Sequence, residues 1–257
     1  MLSIYTPLFN VIQNDIRGWQ KSISLSAEFA DELVVAINTS TDNTEEEVRK
    51  VLAPYNNWKI VNTSFPREAP MDGQIKNAAM QACSNEFQLL IDGDEYIQKW
   101  MRPLLDNLLF QFKFAPQKCL MLPSIDLFRD ENHYKSINLK QYITKKGVYR
   151  GISNQARNPD GTANTQISDG TEVLNENGNM VESILTTTTL EDLEYGRIPY
   201  IIHEGYLHLD SRLNRGLAFW NEHWMITGGG RKPAHIIHES MESFNSYEYK
   251  RHNLKLV

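Results

Sequence analysis

Cysteine is scarce in this 257-residue chain, which has two, Cys83 and Cys119. Neither has a neighbour at metal-ligand spacing, and both stand in apolar or helical surroundings. That argues against a disulfide framework and predicts buried, reduced thiols in a cytoplasmic protein. Basic charge is not in excess either: 26 Lys and Arg face 32 Asp and Glu, for a formal net charge of −6. A non-specific nucleic-acid binder needs a basic surplus to neutralise phosphates, so no nucleic-acid partner is expected. No apolar run approaches the roughly 20 residues of a membrane helix, so no transmembrane segment is predicted. Met1-Leu2-Ser3-Ile4-Tyr5 has no basic region before an apolar core, which predicts no signal peptide. Internal repeats and long low-complexity tracts are absent too.

What remains is ordinary globular composition, 41% hydrophobic and 23% charged. A chain of this length buries roughly 70–75% of its unfolded surface and needs no disulfide or metal to fold. Residues 2 to 5 read as a first strand, stopped by Thr6-Pro7 because proline cannot donate in a central ladder. Residues 14 to 25 carry an imperfect helical stripe, Ile16, Trp19, Ile23 and Leu25. Glu32 to Ile37 reads as a second buried strand, followed by a cluster of turn formers. Thr44 to Glu47 has the pattern of a capping box, with Thr44 as N-cap, opening a helix to about Leu52. Trp58 to Val61 reads as a third strand and Gly73 to Cys83 as a helix. Alternating strands and helices predict an α/β fold, a mostly parallel sheet with helices on both faces.

The segment Gln88-Leu89-Leu90-Ile91-Asp92-Gly93-Asp94-Glu95 is the most informative. Its apolar run reads as a buried strand, and the acidic residues fall where that strand leaves the sheet. Ligands of open α/β sheets bind just beyond the carboxyl ends of the strands. Asp92 and Asp94, at i and i+2, share one side of an extended chain. Gly93 between them allows close approach of a ligand and a sharp turn. Two carboxylates placed this way are hard oxygen ligands for Mg²⁺ or Mn²⁺ bridging to phosphates. The alternative is a solvated acidic turn.

Later in the chain, Leu104 to Phe114 reads as a helix, Cys119 to Leu122 and Ile198 to Ile202 as strands, and Leu213 to Trp224 as a helix. Residues 151 to 182, rich in Gly, Asn, Asp and Thr, read as a long polar loop. Thr186 to Thr189 is either an edge strand or the lead into a helix.

Three segments together resemble the inverting family-2 glycosyltransferases with the GT-A fold. They are Val34 to Thr44, with its strand and Asn-Thr-Ser-Thr-Asp-Asn-Thr turn; Gly73-Gln74-Ile75-Lys76-Asn77-Ala78-Ala79; and Leu90 to Glu95, similar to the metal-binding DxD. They occur in the family's order over residues 2 to 97, and beyond residue 100 the resemblance thins. It implies one GT-A-like domain: residues 1–100 as the nucleotide-sugar half, 101–225 as the acceptor half, and 226–257 as a C-terminal helical and loop extension.

The resemblance also implies roles. Thr6, Pro7 and Phe9 would line the nucleotide pocket, and Asn38, an aspartate in most of the family, would bond the base. Lys76 would face the phosphates, or be solvated in an early helical turn, with Asp92 and Gly93 beside the donor. Asp92, Asp94 and His203 would hold Mn²⁺ or Mg²⁺, with His208 as fallback. Leu190-Glu191-Asp192-Leu193 looks like the family's Glu-Asp motif, whose aspartate is the general base. Asp192 is therefore nominated, with Glu191 beside it, although Thr189 as N-cap and Asp192 at N3 would equally suit a plain helix start. Glu204, Asp169 and Glu172 are weaker candidates. Arg212 and Arg215 share a helical face, as do Trp220 and Trp224. Gly228-Gly229-Gly230-Arg231-Lys232 reads as a lid or a linker, and His235 and His238 lack partners for zinc.

The implied activity is transfer of a sugar from a UDP- or GDP-linked donor to a hydroxyl on a glycan, lipid-linked or protein acceptor. The location would be cytoplasmic or peripheral at a membrane surface. The alternatives are a diverged sugar-nucleotide or glycan binder, and a nucleotidyltransferase. The last generally has a glycine-rich loop after the first strand, and Thr6 to Asn14 contains no glycine.

Overall fold

The computed structural model describes residues 1–66, 71–151, 172–186, 188–207, 209 and 248–256. The first half alternates β1 (Leu2–Leu8), α1 (Trp19–Phe29), β2 (Glu32–Asn38), α2 (Thr44–Leu52), β3 (Trp58–Thr63), α3 (Met71–Ala82) and β4 (Phe87–Leu90). Then come β5 (Glu95–Tyr96), a 3-10 turn at Lys99–Met101, α4 (Arg102–Phe114), β6 (Cys119–Phe128) and β7 (Asp130–Lys145). The remaining elements are β8 (Tyr149–Gly151), β9 (Glu172–Leu174), β10 (Ser183–Leu185), α5 (Leu190–Glu194), β11 (Ile201–Tyr206) and β12 (Lys250–Arg251).

The main sheet has the order β3-β2-β1-β4-β7-β6-β11-β5, with β10 also on β6 and β12 also on β7. β1, β2, β3 and β4 are mutually parallel, and so are β6, β10 and β11. β7 runs antiparallel to both β4 and β6. It therefore joins two parallel blocks that point the same way, and the carboxyl ends of β1, β4, β6 and β11 all lie at one end of the sheet. Consecutive residues from Leu33 to Asn38 are all buried. Neighbours on a strand face opposite ways, so both faces of the sheet are covered there. The fold is α/β with a mostly parallel sheet, as expected. No helix among the described residues is long and apolar enough to cross a membrane.

Several local expectations change. β1 does not stop before Pro7; it runs through it to Leu8, with Pro7 paired to Ala36 of β2. The Tyr5 carbonyl accepts from Ile91 N at 3.1 Å, so the polar backbone groups of Tyr5 point towards β4. Pro7, two residues on, points the same way, where β4 has already ended, and its missing N–H breaks no ladder bond. Thr44 is not the N-cap of α2 but its first residue, and Asn43 is the cap. The Thr44 hydroxyl instead accepts from Val11 N at 3.0 Å and donates to Asp42. α1 begins at Trp19, later than the apolar stripe suggests. The 16-residue strand β7 and the last six residues of β6 carried no expectation at all. The helix expected over 213–224 lies outside the described residues, as do Asp169, His208, Arg212, Arg215, the 228–232 segment, His235 and His238.

Candidate active site

The chain leaves β4 at Ile91 and turns through Asp92, Gly93 and Asp94 into β5. This turn sits where β1 and β4 lie side by side while the chain leaves β1 through α1 towards β2 and leaves β4 through the turn towards β5, on opposite sides of the sheet, the kind of switch point at which ligands of such folds bind. Ser22 Oγ of α1 donates to the Asp92 carbonyl at 3.1 Å, and Glu95 N donates to the same carbonyl at 2.9 Å. A Cβ at Gly93 would lie 3.1 Å from Leu8 Cδ2 and within 4 Å of Ile16 and Trp19. Gly93 thus makes room for the protein's own side chains on the side a Cβ would occupy.

Lys76 projects from α3 onto Asp92. Its Nζ lies 3.2 Å and 3.3 Å from the two carboxylate oxygens, and the residue is only 4% exposed. The solvated reading of Lys76 is therefore overturned. Burial pushes the Asp92 carboxyl up to about 6, against the pull of Lys76 and with help from Glu95 and Asp94.

Asp94 faces His203, which β11 brings across the sheet. Asp94 Oδ2 and His203 Nε2 are 3.5 Å apart, and His203 Nδ1 lies 2.7 Å from Asp126 Oδ1 on β6. Asp126 Oδ2 in turn accepts from Ser136 Oγ and, at 2.8 Å, from Asn138 Nδ2 of β7. Burial disfavours the charged imidazole, but Asp94 and Asp126 outweigh it and lift His203 to about 9. The same contacts hold Asp126 below the usual carboxylate range despite its burial. Gly205 completes this corner. A Cβ there would stand 2.4 Å from His203 Nε2 and 3.1 Å from Asp94 Oδ2, so any side chain would enter the space these two atoms face.

This arrangement fits a divalent cation. Asp94 and His203 present one oxygen and one nitrogen to a common space, and the other ring nitrogen of His203 rests on a carboxylate, as in most metal-binding histidines. Among the described residues no group of three or more His, Cys, Asp or Glu is placed to hold a metal ion. Two protein ligands suffice for Mg²⁺ or Mn²⁺ when substrate phosphates supply others.

The remaining expected residues fall in different places. Thr6 is fully buried within β1 and does not line a pocket, whereas Pro7 and Phe9 are half-buried at the strand's end. Asn38 is 2% exposed and its amide is engaged: Oδ1 accepts from Phe65 N at 2.8 Å and Thr63 Oγ1 at 3.0 Å, and Nδ2 donates to Phe65 O at 3.0 Å. It holds the loop after β3. Asp42 accepts from Thr44 N within its own turn and from Ile12 N and Gln13 N of the loop after β1. Asn10, not singled out from the sequence, ties the loop after β1 to Thr41 through bonds of 2.8 Å and 3.1 Å.

Glu191 and Asp192 do not join the cluster. Thr189 and Asp192 form a capping box at α5, each side chain bonding the other's N–H at 3.2 Å. Arg197 takes the other carboxylate oxygen at 3.3 Å. These contacts hold Asp192 below its ordinary range. β5 runs antiparallel to β11 and leads away from the site, and Trp100 beyond it packs on Gly196. Arg102 then reaches Phe29 O and Asp31, just before β2. Glu204 pairs with Lys21 at 2.7 Å, and Glu172 is the first residue of β9.

The sequence reading missed Asp126, Glu95 and the inner face of β7. The available signal was alternation: Ser136, Asn138, Lys140 and Tyr142 all fall on one side of a strand.

An α/β protein with a cluster of carboxylates and a histidine at the switch point of its sheet is thereby defined. Neither a protein-family model nor a curated protein sequence matches the chain. Among solved structures it is similar to residues 1–349 of S. aureus TarS, at 16% identity and a TM-score of 0.46, over 95% of this chain and 70% of that one. The match covers 43% of the longer TarS chain. The TarS fragment has also been solved with UDP and with UDP-GlcNAc. Glucosyl-3-phosphoglycerate synthase from Mycobacterium tuberculosis, solved with Mn²⁺, UDP and phosphoglyceric acid, is similar at 17% identity and a TM-score of 0.32, over 51% of this chain and 44% of that one. A third is 4-diphosphocytidyl-2C-methyl-D-erythritol synthase from Anaerococcus prevotii, at 12% identity and a TM-score of 0.39, over 56% of this chain and 69% of that one.

Proposed function

We propose that the chain is a metal-dependent glycosyltransferase of the inverting, family-2 type, moving a hexosyl group from a nucleoside-diphosphate donor to an acceptor hydroxyl. The observation that carries this reading is the Asp94–His203 pair, 3.5 Å apart and backed by Asp126. A bound Mn²⁺ or Mg²⁺ would act as a Lewis acid on the leaving diphosphate. Asp94 and His203 would hold it, and Asp92 would be drawn in from Lys76, leaving the ammonium to face a phosphate. Charge favours this: Asp92, Asp94, Glu95 and Asp126 outnumber Lys76, Lys140 and the protonated His203, whose proton a bound cation would displace. Residues 1–100 supply the donor crevice, and the following half supplies Asp126, His203 and the acceptor side. A cytoplasmic enzyme, or one meeting a lipid-linked acceptor at a membrane surface, fits this role.

Asp192 is left out of the step, because its carboxylate is engaged by Thr189 and Arg197. The same observation favours the second reading, a sugar-nucleotide or glycan binder without a base. Turnover separates the two.

The first test is thermal unfolding with UDP or GDP, each with and without Mn²⁺. A ligand at a hundred times its dissociation constant stabilises the fold by about 2.7 kcal/mol. The expected result is a shift that needs both nucleotide and metal and disappears in Asp94→Ala. No shift with either nucleotide would overturn the donor assignment.

A further inference from the structure

Glu95 directly follows the Asp92–Asp94 turn, and it is 1% exposed. Its Oε1 accepts from Lys140 Nζ at 2.8 Å and from Tyr142 OH at 2.6 Å. Its Oε2 accepts from Asp92 N at 3.1 Å. Its backbone is paired in register with His203. One buried side chain therefore touches the turn and β7, while its own backbone lies opposite His203. We propose that Glu95 is a positioning residue whose carboxylate clamps the Asp92–Asp94 turn to β7 and so sets where Asp94 stands relative to His203. This rests on the metal-dependent reading above for its consequence, but not for its geometry.

The chemistry explains why a carboxylate stands here. Three donors converge on it, and only an ionised carboxyl offers two accepting oxygens and no hydrogen. A glutamine would turn its NH₂ against at least one of those donors, leaving that donor buried and unsatisfied. Lys140 supplies the counter-charge that a buried carboxylate requires. With its oxygens so engaged, Glu95 holds the turn and leaves ligation to its neighbours. Lys140 and Tyr142 continue the polar stripe whose other members, Ser136 and Asn138, hold Asp126. Both halves of the site are thus braced by one strand.

The experiment compares native protein with Tyr142→Phe, which keeps the ring, and with Glu95→Gln. Mn²⁺ affinity is measured by titration with UDP present, and amide exchange is followed at residues 92–95 and in β1 and β2. The expected result is Mn²⁺ affinity weakened about tenfold or more, with exchange accelerated at the turn and not in the core strands. Accelerated exchange throughout, with Mn²⁺ affinity unchanged, would mean general destabilisation and overturn the proposal. So would Tyr142→Phe behaving as native in both measurements. If native protein binds no Mn²⁺, the proposed function falls, and selective exchange at the turn alone decides the clamp.

Discussion

Asp126 holds His203 by its Nδ1, 2.7 Å from the carboxylate, and thereby aims Nε2 at Asp94. One contact thus decides which ring nitrogen faces the crevice: Nδ1 is held by the carboxylate, and Nε2 is left for Asp94 or for a cation that displaces its proton. Asp126 is fixed in its turn by Ser136 and Asn138, so its geometry is inherited from β7.

Asp126→Asn should keep the fold and weaken metal binding. Ser136 and Asn138 both donate to Oδ2, and an amide nitrogen there would meet two donors, forcing a rearrangement that releases His203. Loss of such a partner costs about 10–100-fold in metal affinity. Titration with Mn²⁺ in the presence of UDP reads this directly, and native affinity in the variant would refute the role of Asp126.

Gly205→Ala tests the space rather than the ligands. The new Cβ would stand 2.4 Å from His203 Nε2, and the imidazole must move to admit it. Metal-dependent stabilisation by nucleotide should vanish while unfolding in the absence of ligand stays cooperative. Retained stabilisation would show that the cation sits elsewhere.

Asp192→Asn discriminates between a cap and a base. A general base contributes about 10²–10⁴-fold to rate. The capping geometry predicts a small loss of thermal stability and a transfer rate close to native. A rate loss of that size, with nucleotide affinity intact, would return Asp192 to catalysis.

Acid stability should depend on Glu32. Burial alone would raise its carboxyl, but Lys59 at 2.7 Å and bonds from Ser3 and Ser84 outweigh this and hold it at about 2, down from 4.5. A group lowered on folding contributes stability that is present above the unfolded value and lost as pH falls through the folded one. The contribution should be intact above about pH 4.5 and fade towards pH 2. Urea unfolding of native and Glu32→Gln protein across that range should show a gap that closes with acid. A gap independent of pH would exclude the ion pair as its source.

The residues from Leu2 to Asp94 carried their architecture in local pattern. Buried strands such as Leu33 to Asn38 are near-continuous apolar runs, and the DxD turn follows one of them, so strand, turn and carboxylates were legible together. Thr189 with Asp192 as a capping box was equally legible, since its partners stand three residues apart. β7 was not. Its sequence, with Glu131, Asn132, His133, Lys135, Ser136, Asn138 and Lys140, has the polarity of a loop. It forms a strand because its neighbours β4 and β6 pair with it and because its polar face is satisfied by Asp126 and Glu95.

Local sequence determined the parallel first half, the helices between its strands and the acidic turn that ends it, because the spacing of apolar residues and turn formers is read within one element. Tertiary structure alone decided which partner each charge would have. Asp92 meets Lys76 from 16 residues away, Asp94 meets His203, and Asp126 lies 77 residues from His203 in sequence and 2.7 Å from it in space. Those pairings arise from the order of strands in the sheet. Asp192, by contrast, meets Thr189 and Arg197 within its own stretch of chain, and its charge serves a helix.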